Sequence, residues 1–264
     1  MDHDIQNLID LNRYPLHRAG EDNFETLVRE CRSQLAKNGL FNLPNFLQPG
    51  VSDDIADALA ARWQSEAFHH KRSHNIYFKP KIEGLAPDHP ALALRETSNR
   101  TLCADQVADT DLRLIYEWPE FAQFLARVLD LPELHPMADP LARINVMAYG
   151  EGEALNWHFD RSEFTTTLLL QAPEQGGDFE YAKDLRSESD PNYAGVAALL
   201  EGRTQPRRMA LDAGTLNVFR GKNTAHRVSP VVGDTSRIIA VFSYFDRPEV
   251  TLSDSERRGF YGRS

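Results

Sequence analysis

The sequence predicts a mainly β protein with helices in its N-terminal part, and three observations predict it. Apolar residues recur at helical spacing in the first half of the chain. After Pro140 the pattern changes to a period of two. Beyond that point about seven short strand-like runs are separated by turn signals, the pattern of a closed or double-sheet β architecture.

Taken in order, residues 1–21 read as polar and irregular. Asp22 or Asn23 can cap a helix whose apolar stripe is Phe24, Leu27, Val28, Cys31 and Leu35, with Gly39 ending it. Residues 39–43 read as a short strand before Pro44. A second helix starts near Ser52 or Asp53 and carries Ile55, Leu59 and Trp63. Residues 68–74 hold His69, His70 and His74 without a carboxylate or Cys arranged around them, and read as a solvated loop, not a metal site. Residues 80–90 contain three prolines and a glycine and read as a loop or lid, with a strand or turn near Leu102. Pro119 suits a first helical turn, and Phe121, Phe124, Leu125, Val128 and Leu129 make the buried stripe of a helix over 119–129.

The β part begins with a strand over 143–149, stopped by Gly150. Residues 165–170 are β-rich, and Gly176-Gly177 turns into a strand at 178–181. A polar insert at 184–206 carries a short helix near 196–200. Strands resume at 207–211, 215–219, 226–228 and 237–245. The expected organisation is therefore an N-terminal helical or mixed region (1–138) packing on a β core (139–248), followed by a tail (249–264).

Composition narrows the function classes. The 264 residues carry 29 Lys+Arg against 39 Asp+Glu, a net charge of −10, which argues against a general nucleic-acid binder. Two cysteines, Cys31 and Cys103, with no CxxC pair, argue against a disulfide framework or zinc ribbon and fit a reducing compartment. The start MDHDIQNLID lacks the pattern of a secretory signal, and no apolar run approaches the roughly 20 residues that span a bilayer. The expectation is a cytoplasmic protein with no membrane partner.

The chemistry centres on Asn156-Trp157-His158-Phe159-Asp160. On an extended segment His158 and Asp160, two apart, project to one face and can reach one metal ion. His226 opens a later strand and Arg237 the next. Two imidazoles and one carboxylate make the facial triad of a mononuclear non-haem Fe(II) site, which leaves metal positions open for substrates. A guanidinium fork at Arg237 suits a carboxylate. By strand parity Arg237, Ile239, Val241 and Ser243 share a face, as do Asn145, Met147 and Tyr149.

These residues resemble the Fe(II)/2-oxoglutarate-dependent dioxygenase superfamily over roughly 140–246. The resemblance rests on Trp157–Asp160, on Ala225-His226-Arg227-Val228 and on Arg237 to Val241. It implies a double-stranded β-helix core of the jelly-roll or cupin kind. It also implies His158, Asp160 and His226 as catalytic metal ligands, with Fe(II), 2-oxoglutarate and O₂ as cofactor and cosubstrates. Arg237 would hold the far carboxylate of 2-oxoglutarate, with Tyr149, Asn145 and Thr167 as further contacts; Thr165 is another inward candidate. The implied reaction couples decarboxylation of 2-oxoglutarate to succinate and CO₂ with hydroxylation of an unactivated C–H bond. Members that halogenate have Gly or Ala in place of the carboxylate ligand; Asp160 is present here, so hydroxylation is expected.

Several stretches look most like the free-amino-acid halogenases and their hydroxylase relatives: Trp157–Asp160, Leu168–Glu174, Gly176–Tyr181 and Arg258–Arg263. That implies a small polar substrate, a free amino acid or derivative. Its carboxylate would take an Arg from the N-terminal region, Arg95 first and Arg100 second. Trp157, Phe159 and Tyr244 are expected as pocket walls, and Ser243 as a further substrate contact. Arg161, next to Asp160, would repel a substrate ammonium if it faced the pocket. Two alternatives stay open: an oxygenase acting on a protein side chain, and a non-catalytic cupin-like metal binder. The exact substrate and the oligomeric state are left open.

Overall fold

A computed structural model of the chain describes residues 2–264, with side chains from residue 5 onward; Met1 lies outside the described residues. The elements run α1 (Asp2–Leu8), α2 (Asp22–Asn38), β1 (Leu40–Leu43), α3 (Val51–Leu59), α4 (Arg62–Ser65), β2 (Phe68–His74), β3 (Arg95–Leu102), α5 (Asp111–Glu117), α6 (Pro119–Leu129), β4 (His135–Pro136), β5 (Ile144–Tyr149), β6 (Leu155–His158), β7 (Thr165–Gln171), β8 (Gln175–Gly176), β9 (Phe179–Ala182), α7 (Tyr193–Leu200), β10 (Arg207–Met209), β11 (Leu216–Phe219), β12 (Ala225–Val228), β13 (Val231–Val232), β14 (Arg237–Phe242), β15 (Tyr244–Phe245) and α8 (Asp254–Tyr261).

Two antiparallel sheets make the core. The major sheet has seven strands in the order β1-β11-β7-β14-β5-β3-β2, and the minor sheet has four, β10-β9-β12-β6. Each major strand alternates in and out. Ile144, Val146, Ala148, Leu168, Leu170, Val218, Ile238, Ala240 and Phe242 pack outward against α2, α3, α5 and α6 in the main apolar core. Within that layer α6 buries Phe121, Phe124, Leu125 and Val128, each contributing about 1.5–3 kcal/mol. The opposite parity, Tyr149, Leu169 and Ile239 with Met147, meets Leu155 and Val231 between the sheets. Phe179 and Tyr181 of β9 close the other end against Leu40 and Phe219. This is the double-stranded β-helix, and its interior is the space in which the metal-ligand candidates lie.

Several elements differ from the sequence reading. Residues 68–74, expected as a solvated loop, form β2, paired with β3 along its whole length from Phe68↔Thr101 to His74↔Arg95. Its inward positions are His70 and His74, both buried, so an apolar alternation was absent and the strand was invisible to a hydrophobic pattern. Residues 2–8 are helical, not irregular. The cap of α2 is Glu21, with no side-chain cap bond, instead of Asp22 or Asn23. The helix expected from Ser52 to Trp63 is interrupted after Leu59 and resumes as α4. The tail 249–264 contains α8, opened by a capping box in which Ser253 and Glu256 bond each other's backbone N–H. The segments before residue 139 contribute β1, β2 and β3 to the same major sheet as β5, β7 and β14.

α8 is fastened to the core by Asp139, which is fully buried. One carboxylate oxygen accepts the N–H groups of Leu141 (2.9 Å) and Ala142 (3.1 Å); the other accepts Leu252 N–H (2.9 Å) and Arg257 Nε (2.9 Å). No helix is long and apolar enough to cross a membrane among the described residues.

Candidate metal centre

β6 and β12 are neighbours in the minor sheet, and their register sets His158 directly opposite His226. The two rings lie 4.1 Å apart between centroids. Asp160 follows β6 in a turn fixed by its N–H bond to Gly221 O (3.0 Å). Nε2 of His158 and Nε2 of His226 each stand 3.4 Å from Oδ1 of Asp160. All three residues offer ligand atoms within 4.8 Å of one another. Metal bonds of about 2.0–2.2 Å to such N and O donors need donor atoms roughly this far apart.

The protons are arranged for a cation. Nδ1 of His158 contacts Asn156 O at 2.8 Å, and Nδ1 of His226 contacts Thr224 O at 3.0 Å. A carbonyl only accepts, so each Nδ1 carries the proton and each Nε2 presents a lone pair. The Thr165 hydroxyl donates to Oδ2 of Asp160 at 2.6 Å, which leaves Oδ1 as the inward oxygen. Burial pushes the Asp160 carboxyl up, but His226 and His158 outweigh it and hold it well below the usual carboxylate range. Burial, with His226 beside it, pushes the His158 imidazole down, toward the neutral form a metal binds. A Cβ built on Gly221 would overlap Oδ2 and Cγ of Asp160, so the carboxylate fits only against a glycine. The donor set, the tautomers and the buried carboxylate fit a divalent cation of the Fe(II) type.

Arg237 opens β14 opposite Tyr149 of β5. It is 3% exposed, and its Nη1 is buried with no hydrogen-bond partner. Burial pushes its pKa down, against the pull of Tyr149 and Asp178. Gly177 makes room for it: a Cβ there would stand 3.0 Å from Cδ of Arg237. A buried guanidinium with an orphaned nitrogen calls for an anion. Tyr149 is fully buried beside it, with its phenol pushed up to about 12 by burial. Its hydroxyl reaches only Met147 Sδ, at 3.6 Å. Asn145 is committed elsewhere, accepting from Tyr261 OH at 2.8 Å and donating to Leu141 O and Ile144 O. Thr167 is buried with its hydroxyl on Asn217 O at 3.3 Å.

A cavity of about 370 Å³ opens on His158 and Asp160. Of the residues expected to meet substrate, Phe159, Ser243, Tyr244 and Arg161 line it. Arg95 and Arg100 are exposed on β3 and do not line it. Trp157 is buried on the other side of β6, among Ile76, Ala91 and Val196, with Arg227 5.0 Å over its ring. Arg161 reaches the cavity rim but its guanidinium is tied to Glu256 of α8. The sequence reading did not reach His70, Arg72, Phe78 and Phe260, which also line the cavity. Phe78 sits at φ 54°, a left-handed conformation that favours glycine. Asn75 holds that turn, its Oδ1 accepting Tyr77 N–H and Lys79 N–H, both at 3.1 Å. The Phe78 ring stacks on His74 at 4.5 Å.

The fold is that of the 2-oxoglutarate/Fe(II) oxygenases. An oxidoreductase of the 2OG-Fe(II) oxygenase family from Burkholderia pseudomallei superposes with a TM-score of 0.52 at 16% identity, over 84% of this chain and 92% of that one. The α-ketoglutarate-dependent epimerase SnoN of nogalamycin biosynthesis gives 0.58 at 14% identity, over 84% of each chain. AviO1 from Streptomyces viridochromogenes Tue57 gives 0.57 at 16%, over 84% and 96%. Within that class the chain belongs to the halogenase D family, whose model matches residues 24–257. No curated protein matches it.

Proposed function

We propose that the chain is an Fe(II)- and 2-oxoglutarate-dependent oxygenase that hydroxylates an unactivated C–H bond of a small carboxylate, an amino acid or a derivative of one. The observation that carries this reading is the pair of imidazoles with Nδ1 committed to backbone carbonyls and Nε2 converging with Oδ1 of Asp160. His158, Asp160 and His226 would hold the iron, and Arg237 the far carboxylate of 2-oxoglutarate. The solved SnoN complex with Fe3+ and α-ketoglutarate accords with that cofactor pair. The balance is substrate, O₂ and 2-oxoglutarate going to hydroxylated substrate, succinate and CO₂; bound iron supplies the oxygen activation. The chain's own residues bind and orient. Asp160 fills the position beside the two imidazoles, which favours oxygenation in this member of a family named for halogenation. Met147, Leu155 and Phe159 keep water from the reacting C–H.

The small cavity favours a small molecule over a polypeptide side chain, since about 370 Å³ lies at the lower end of ordinary ligand pockets. The orphaned Arg237 favours an enzyme over a bare metal binder, which has no use for a buried anion site. Anaerobic loading with Fe(II) and 2-oxoglutarate, followed by O₂-dependent succinate release across a panel of amino acids and N-acyl amino acids, tests the reading. Succinate release that a substrate stimulates is expected. Iron binding with no 2-oxoglutarate binding or turnover would leave only the metal binder.

A further inference from the structure

We infer that Arg72 and His70 anchor an oxyanion of the substrate, and that the substrate is a monocarboxylate with an apolar body. The inference rests on the oxygenase reading for the identity of the cavity, and its own support is independent of the metal. His70 and Arg72 are two apart on β2, so both face the cavity that they line. His70 is 9% exposed, with Nε2 buried and unpartnered. Nε of Arg72 is likewise buried and unpartnered. Both side chains line one space. With its proton on Nε2, His70 would donate to an oxyanion held there alongside the guanidinium.

The guanidinium is held in place by two rings, with its carbon 5.0 Å from the Phe78 centroid and 5.5 Å from that of Phe260. Such a clamp leaves the edge of the fork for a carboxylate. Burial pushes the Arg72 pKa down, and the Arg161 cation adds to that. A partly buried cation in that state gains from a counter-anion. Asn99, opposite His70 in the β2–β3 register, adds a donor: its Oδ1 accepts the Thr101 hydroxyl at 2.8 Å, leaving the amide nitrogen as its remaining polar group.

The rest of the wall decides the body of the ligand. Met147, Leu155, Phe159, Val241 and Phe164 are apolar. Among the described residues lining the cavity, Asp160 is the only carboxylate, and its oxygens are turned to Thr165 and to the imidazoles. A side-chain ammonium would enter beside Arg72 with no unengaged acid on the cavity wall, since Glu256 at the rim is tied to Arg161. The cavity therefore suits aliphatic or aromatic carboxylates, N-acylated apolar amino acids among them, and disfavours diamino acids.

The test is direct titration of the anaerobic protein loaded with Fe(II) and saturating 2-oxoglutarate. The probes are N-acetyl-leucine, 3-phenylpropionate, their two amides, and lysine. Both carboxylates are expected to bind, with the amides and lysine at least about tenfold weaker. Arg72→Gln should lose about 10–100-fold for the carboxylates while keeping its 2-oxoglutarate titration. His70→Phe should lose less. Phe260→Leu serves as a second probe of the clamp should Arg72→Gln fail to fold. Amides binding as well as acids, lysine binding best, no carboxylate binding at 5 mM (on the order of the weak limit for a specific contact), or an Arg72→Gln protein with unchanged affinity would each overturn the inference. Failure of 2-oxoglutarate to bind the parent would instead defeat the oxygenase reading, and the carboxylate titration without it would still report on Arg72.

Discussion

Gly221 and Asp160 share a space that holds one side chain. The carboxylate lies against the Gly221 α-carbon, at the place a methyl group would take, and the Gly221 carbonyl accepts the Asp160 N–H at 3.0 Å. Gly221→Ala should therefore turn the carboxylate away from the imidazoles without unfolding the sheets. Anaerobic Fe(II) titration should show about 10–100-fold weaker binding, with an unchanged circular dichroism spectrum. Unchanged iron affinity would mean that Asp160 is not a ligand.

Thr165 tests the orientation of the same carboxylate. Thr165→Val keeps the shape and removes the hydroxyl that donates to Oδ2 at 2.6 Å. Iron affinity should fall about tenfold, and Thr165→Ser should restore most of it. A Val variant indistinguishable from the parent would show that packing alone holds Asp160.

Arg237 should govern 2-oxoglutarate and leave iron alone. Arg237→Gln removes the buried charge and its orphaned Nη1, and the 2-oxoglutarate Kd should rise about 100-fold or more. Iron titration without 2-oxoglutarate should not move. Lysine in its place should recover little, since a point charge lacks the fork.

Asp139 sets an acid limit to stability. Burial pushes its carboxyl up, but the N–H groups of Leu252, Leu141 and Ala142 and the Arg257 guanidinium outweigh that and hold it below the ordinary value. A carboxyl depressed in the folded state stabilises fully above its unfolded value near 4, and that contribution is lost as pH falls through the folded value. Asp139→Ala should cost about 3 kcal/mol at neutral pH, and urea midpoints below pH 4 should converge on the parent. A constant gap between the two proteins across that range would rule out ionised Asp139 as the cause.

How much of this was legible in the residues depends on what kind of signal each carried. Asp160, His226 and Arg237 stood out because chemistry, turn signals and strand parity agreed at each position. The α6 span was readable from Pro119 and its apolar stripe. β2 was not, because its inward side chains include His70, Arg72 and His74, and polar residues at the inward positions leave no hydrophobic alternation. Arg95 and Arg100 were expected at the substrate for a related reason: β2 and β3 pair along their length and both line the cavity, and only the register reveals that Asn99 and Thr101, not the two arginines, are the β3 side chains that line it. α8 was hidden by its polarity, since its attachment depends on Asp139, over a hundred residues earlier.

The pairing of β1 with β11 joins residues 40–43 to 216–219. A ribosome adding about 5–20 residues per second needs roughly 10–35 s to make that interval. During that time the first strand waits as an unpaired edge, sheltered only by α2 behind it. His226, the last of the three candidate ligands, emerges before β14 (Arg237–Phe242), the strand that joins β7 to β5, so the major sheet closes only after the ligand set has been made. Slow, late-closing assembly of this kind should make soluble yield depend on translation rate and temperature more than on the final stability of the folded enzyme.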